Sequence, residues 1–168
     1  VLQRVVHVAM LSDVGREVGF DVMVERLVPL LPVLCSDDEW VVRKAVAREI
    51  AAICSLCIAL GAGKGYALVV DNLLPLLGKL AGDSHPDVRA EGATALAGCA
   101  GLLKPEDLAV HLLTIVIGLA HADDPVSGTV GMSGAEAGED LRIAAALLME
   151  RLSPHLGHEL CDHFVVPT

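Results

Sequence analysis

The chain has 168 residues, with 12 Lys and Arg against 22 Asp and Glu, for a formal net charge of −10. That length suits one ordinary domain with its own core, and so acidic a surface repels phosphate backbones and anionic head groups, which argues against nucleic acid or a membrane surface as partner. Leu, Ala and Val dominate while Phe, Tyr and Trp together number four, a composition that favours helices packed through aliphatic side chains over a β-sandwich.

Mean hydropathy is high, at +0.59. The longest uncharged run, residues 50–63, is nevertheless only 14 residues, short of the roughly 20 that a bilayer-spanning helix needs. Neither end shows the pattern of a signal peptide. The chain opens on Val1 rather than Met and is expected to be a soluble piece of something longer. Its five cysteines, Cys35, Cys54, Cys57, Cys99 and Cys161, are odd in number and lie in aliphatic stretches. They fit buried free thiols in a reducing compartment, so the expected location is the cytoplasm, with the nucleus as an alternative.

In chain order, residues 2–15 read as one amphipathic helix opened by Arg4. Leu27-Val-Pro-Leu-Leu-Pro-Val-Leu-Cys35 then places Leu27, Leu30, Leu31 and Leu34 at i, i+3, i+4 and i+7, a helical stripe. The turn Asp37-Asp-Glu-Trp-Val-Val-Arg43 leads into a second helix whose buried stripe is Val42, Val46, Ile50, Ile53, Cys57 and Leu60. The same order returns: Leu73, Leu76, Leu77 and Leu80, the turn Asp83-Ser-His-Pro-Asp-Val-Arg89, and another helix. It returns again from Leu112, Ile115, Val116 and Leu119. Pro29 and Pro75 share a register and predict either a shared kink or a late helix start. Acidic and small polar residues cap the second helices, and Pro86 and Asp87 suit a first helical turn.

Self-similarity at a fixed period marks a repeat architecture. The arginines that open the second helices, Arg4, Arg43, Arg89 and Arg142, are separated by 39, 46 and 53 residues. The unit is therefore 39 residues, extended by glycine-rich insertions of about seven residues between Ala59 and Ala67 and about 14 between Pro125 and Gly138, both expected to lengthen loops. This divides the single array 1–168 into a partial repeat 1–19, repeats at about 20–66, 67–105 and 106–154, and a partial repeat 155–168.

The period, the paired helices and the spacing from Asp37 to Arg43 and from Asp83 to Arg89 resemble HEAT repeats over nearly the whole chain. The resemblance implies an all-α, right-handed α-solenoid of stacked antiparallel helical hairpins with an armadillo-type fold. It also implies an inter-repeat ladder of polar contacts through Asp37, Arg43, Asp83 and Arg89; the third copy departs, with Ala122 in the aspartate register and Asp123 beside it. Asp37, Trp40, Val42 and Arg43, followed by Ala45 and Ala47, with the closing Val165-Val-Pro-Thr168, are similar to the protein phosphatase type 2A scaffold and to protein phosphatase 4 regulatory subunit 1.

No catalytic arrangement of nucleophile, base and orienter can be assembled, and no cofactor or metal is expected. Cys54-Ser-Leu-Cys57 has the spacing of half a zinc site but lacks further ligands. Gly61-Ala-Gly-Lys-Gly65 lacks the Ser or Thr of a phosphate loop and reads as a flexible connector. His155, His158, Cys161 and His163 are dense enough for ligands, yet surface scatter explains them better.

The expected function is that of a non-catalytic protein-binding scaffold, whose partners meet a ridge of turns through Asp38, Glu39, Trp40, His85, Pro86 and Asp87. Trp40 serves either as an interface anchor or as packing under the neighbouring turn. The resemblance implies a regulatory or scaffolding subunit that holds a type-2A-like serine/threonine phosphatase catalytic subunit. The rivals are a karyopherin-like adaptor gripping basic peptides on an acidic concave face and a DNA glycosylase, the latter opposed by the charge.

Overall fold

The computed structural model describes residues 1–121 and 135–164. Ala122, Asp123, most of the 125–138 insertion, Val165 to Thr168 and the side chains of His155, His158, Cys161 and His163 lie outside the described residues. Every element among the described residues is helical, and the chain divides into two compact units, Val1–Cys99 and Ala100–Thr168.

The first unit opens with α1 (Leu2–Val8) and α2 (Leu11–Val18) where one helix over 2–15 is expected. The break at Ala9 and Met10 has a purpose visible in the hydrogen bonds. It frees the Ser12 N–H from its own helix, and that N–H donates at 3.1 Å to Oε2 of Glu49, a carboxylate only 9% exposed. Glu49 thus caps α2 from 37 residues further along the chain, where a negative charge also meets the positive end of the helix dipole.

The first helix of the next hairpin runs from α3 (Phe20–Val22) through a π-helical turn at Met23–Leu27 and a 3₁₀ turn at Val28–Leu30 to α4 (Leu31–Leu34). After the turn comes α5 (Trp40–Leu68), followed by a second π-helical turn at Val69–Leu73 and α6 (Leu74–Ala81), then α7 (Pro86–Ala100). The two readings of Pro29 and Pro75 are thereby separated. Neither proline starts its helix late; each follows a π-turn in which the N–H of Val28 or Leu74 reaches the carbonyl of Met23 or Val69, five residues back. A widened turn relieves the clash between a proline ring and the carbonyl four residues before it.

Helix α5 is not straight. At Ala62 the backbone takes φ 47° and ψ −126°, and the chain folds back. The arms lie so close that a Cβ on Gly65 would sit 1.8 Å from the Cys57 carbonyl oxygen. The glycine-rich stretch is therefore a defined corner and not the flexible connector expected, with glycine needed for close approach. Trp40–Ala81 is apolar and long enough by composition to cross a bilayer, but the corner halves it, and both arms carry charged side chains.

Met23, Leu31, Val42, Val46, Ile50, Ile53, Leu73, Leu77, Leu80 and Leu96 form the core of this unit, each at most 1% exposed. Two expected core positions fail: Leu30 is 47% exposed and Leu60, at the corner, is 45% exposed.

The second unit holds α8 (Pro105–Asp107), a π-helical turn at Leu108–Leu112, α9 (Leu113–Ala120) and α10 (Ala135–Phe164), with α9 packed on α10. Its π-turn falls in the same register as the other two although Thr114, not proline, follows it. The Thr114 hydroxyl donates to the Val110 carbonyl, the same i−4 group a proline would crowd. Helix α10 continues through Pro154, where the sequence predicts a new helix from 155. The Ser153 hydroxyl donates to the Glu150 carbonyl at 2.8 Å, replacing the bond that Pro154, lacking an N–H, cannot give.

Candidate protein-binding ridge

The turn between α4 and α5 and the turn between α6 and α7 are built alike. Asp37 and Asp83 each accept, through Oδ1, the N–H two residues on, from Glu39 and His85, both at 2.9 Å. This local bond is what aspartate offers a turn that glycine or alanine cannot. The arginine six residues after each aspartate closes the turn from the far side. Nη1 of Arg43 donates to the carbonyls of Asp37 (2.7 Å) and Asp38 (3.3 Å), and Nη1 of Arg89 donates to those of Asp83 and Ser84, both at 3.0 Å.

The same side chains then reach between repeats. Arg4 pairs with Asp37 through Nε and Nη2, at 3.0 and 3.1 Å. Arg43 pairs with Asp83 through Nε and Nη2, at 2.7 and 2.8 Å. The forked geometry matches guanidinium to carboxylate. Arg43 and Asp83 are only 13% and 10% exposed. Burial works against the Asp83 charge, but the Arg43 guanidinium and the His85 N–H outweigh it and hold the carboxyl below its ordinary value. Arg43 in turn is raised, chiefly by its bond to Asp83.

Two further rungs escaped the sequence reading. Lys44 pairs with Asp87 at 3.3 Å and Arg48 with Glu91 at 2.9 Å, each 43 residues apart. Sliding the sequence by 43 places opposite charges together at both positions, so a signal was present. The close approach of α6 and α7 was equally unmarked: a Cβ on Gly92 would lie 2.7 Å from the Ala81 nitrogen.

All six residues expected on the ridge fall on these two adjacent turns. Asp38, Pro86 and Asp87 are exposed, while Glu39, Trp40 and His85 are half-buried. Trp40 and His85 are stacked, ring centroids 4.0 Å apart and planes 3° from parallel. The indole therefore packs on the neighbouring turn, one of the two roles expected of it. The His85 ring is fixed as well by Nδ1, which accepts the Asp87 N–H at 3.3 Å. Asp38, Glu39 and Asp87 stand beside this aromatic pair in sequence, Asp87 in its ion pair with Lys44.

The chemistry available elsewhere is that of a packed interior. Cys35, Cys54, Cys57 and Cys99 are buried free thiols. Burial pushes Cys35 and Cys57 up to about 11. The neighbouring Cys99 and burial raise the Cys54 thiol as well. No group of three metal-ligating side chains occurs among the described residues.

Residues 27–57 match the family model of the HEAT repeat. No curated protein matches the chain. The matched segment begins in the π-turn before α4 and ends in α5, so it contains the whole turn from Asp37 to Arg43. Residues 27–57, two helices joined by a turn in the structure, are thus similar in sequence to a HEAT repeat.

Proposed function

We propose that this chain is a non-catalytic protein-binding scaffold, a right-handed α-solenoid whose ridge of turns holds a type-2A-like serine/threonine phosphatase catalytic subunit in the manner of a regulatory or scaffolding subunit. HEAT repeats commonly mediate protein–protein interaction, which supports the general reading. The observation that carries the ridge is the Trp40–His85 stack, an aromatic platform that joins the two turns, with Asp38, Glu39 and Asp87 beside it in sequence. Platforms of this kind lose little entropy on binding. The buried thiols support a reducing compartment, the cytoplasm or nucleus.

The test is affinity capture from a cell extract with the chain and with Trp40→Ala, both checked by circular dichroism for unchanged helix content. Recovery of a phosphatase catalytic subunit that falls with the substitution supports the reading. Recovery of no phosphatase catalytic subunit, with transport factors or Lys/Arg-rich cargo that fall with Trp40→Ala, overturns it in favour of an adaptor for basic peptides.

A further inference from the structure

Within the first unit, a groove of about 650 Å³ lies between the start of the first hairpin and the segment after the Ala62 corner, lined by Phe20, Val24, Ala67 and Leu68 with Asp21, Glu25, Asp71, Lys64 and Asn72. It is distinct from the ridge. Val24 precedes Asp37 by 13 residues, which along a helix is on the order of 20 Å.

The floor is apolar and the rim acidic. Three carboxylates face one lysine among the lining residues, and Asp21, Glu25 and Asp71 are all exposed. Glu25 is shared with Arg26 in a surface pair at 3.3 Å, 68% and 72% exposed, which solvent weakens. The floor is preformed: the Phe20 ring rests on Gly61, where a Cβ would come within 2.2 Å of it. An aromatic ring fixed in an apolar cleft with carboxylates above it suits an aliphatic side chain flanked by cations, whose methylene stems cover the floor while their heads meet the rim.

We propose that this groove docks a short segment of a partner protein in which Lys or Arg flanks an aliphatic residue. The proposal is independent of the phosphatase reading, since neither the groove nor its charges involve the turns.

The probe is a fluorescein-labelled peptide of alternating Leu and Arg, about 12 residues long, with a Glu-for-Arg peptide as control, followed by fluorescence anisotropy. Asp21→Lys with Asp71→Lys is expected to raise Kd about tenfold or more, because both rim charges reverse. Asp13→Lys with Glu17→Lys changes net charge equally at exposed residues of the same unit that do not line the groove and is expected to raise Kd less than about threefold. Urea midpoints confirm that all variants fold. Failure of the chain to bind the basic peptide, equal loss in the two double variants, or complete loss of binding in about 0.5 M NaCl would each overturn the proposal.

Discussion

Arg43 grips the carboxylate of Asp83, 40 residues further along, with two nitrogens while its third closes its own turn on the carbonyls of Asp37 and Asp38. One side chain thus completes two turns. Removing it leaves a largely buried carboxylate and two carbonyls short of donors. Arg43→Ala is expected to lower stability by about 2–4 kcal/mol in urea denaturation. Arg43→Lys recovers only part, since an ammonium cannot make the fork. Asp83→Ala added to Arg43→Ala is expected to cost less than the sum of the single changes, and strict additivity would show that the pair is uncoupled.

Stability is expected to fall with acid through the same pair. The folded-state pKa of Asp83 lies below its ordinary value. Its contribution is therefore present above the unfolded pKa, near 4, and is lost as pH falls through the folded value. Asp83→Asn removes this dependence. Thermal melts at neutral pH and near pH 3 are expected to differ more for the native chain than for Asp83→Asn, and equal differences would refute the assignment.

The corner at Ala62 predicts opposite effects for two small changes. Ala62 holds φ 47°, where a Cβ is strained, so Ala62→Gly is expected to stabilise by about 0.5–1 kcal/mol. Gly65→Ala drives a methyl group into the Cys57 carbonyl and is expected to cost about 1–3 kcal/mol. Chemical denaturation of the two variants checks both signs.

Depth in the helical stripe supplies a fourth contrast. Leu77 is 0% exposed and Val33 is 72% exposed. Leu77→Ala is expected to cost about 2–5 kcal/mol as a cavity in the core, whereas Val33→Ala stays within about 0.5 kcal/mol. Denaturant midpoints decide it, and equal costs would contradict the packing described.

The ladder role of Asp37, Arg43, Asp83 and Arg89 came from the HEAT resemblance and not from the spacing alone; Arg43 pairs with Asp83, Asp37 pairs with Arg4, a residue outside that set, and Arg89 closes its own turn. The stripe of the second hairpin was legible because its leucines recur at helical spacing, with Leu73, Leu77 and Leu80 buried and Leu76 half-buried. What escaped depends on where the helix winds differently. A template of 3.6 residues per turn absorbs a π-turn without notice, so it does not anticipate that Leu73 and Leu74, adjacent in sequence, are both fully buried, or that Leu112 and Leu113 are nearly so. Glu49 escaped because its partner is a backbone N–H freed by a break at Ala9 and Met10, and no residue type announces that break. The Trp40–His85 stack lay between two roles until the spacing of the turns was known.

The direction of the ladder bears on how such an array can grow. The hairpin that holds Asp37 and Arg43 carries an aspartate that answers the arginine before it, Arg4, and an arginine that answers the aspartate after it, Asp83. A duplicated stretch of one whole period therefore arrives with both complementary halves already in place, and its new neighbours need no compensating change. A duplication out of period would strand a charge at each junction. Tandem copying in whole units is in this sense the mutation the geometry tolerates best, and extra residues enter at the corner between hairpins, where the spacing from Arg43 to Arg89 has lengthened to 46 with the rung from Arg43 to Asp83 intact.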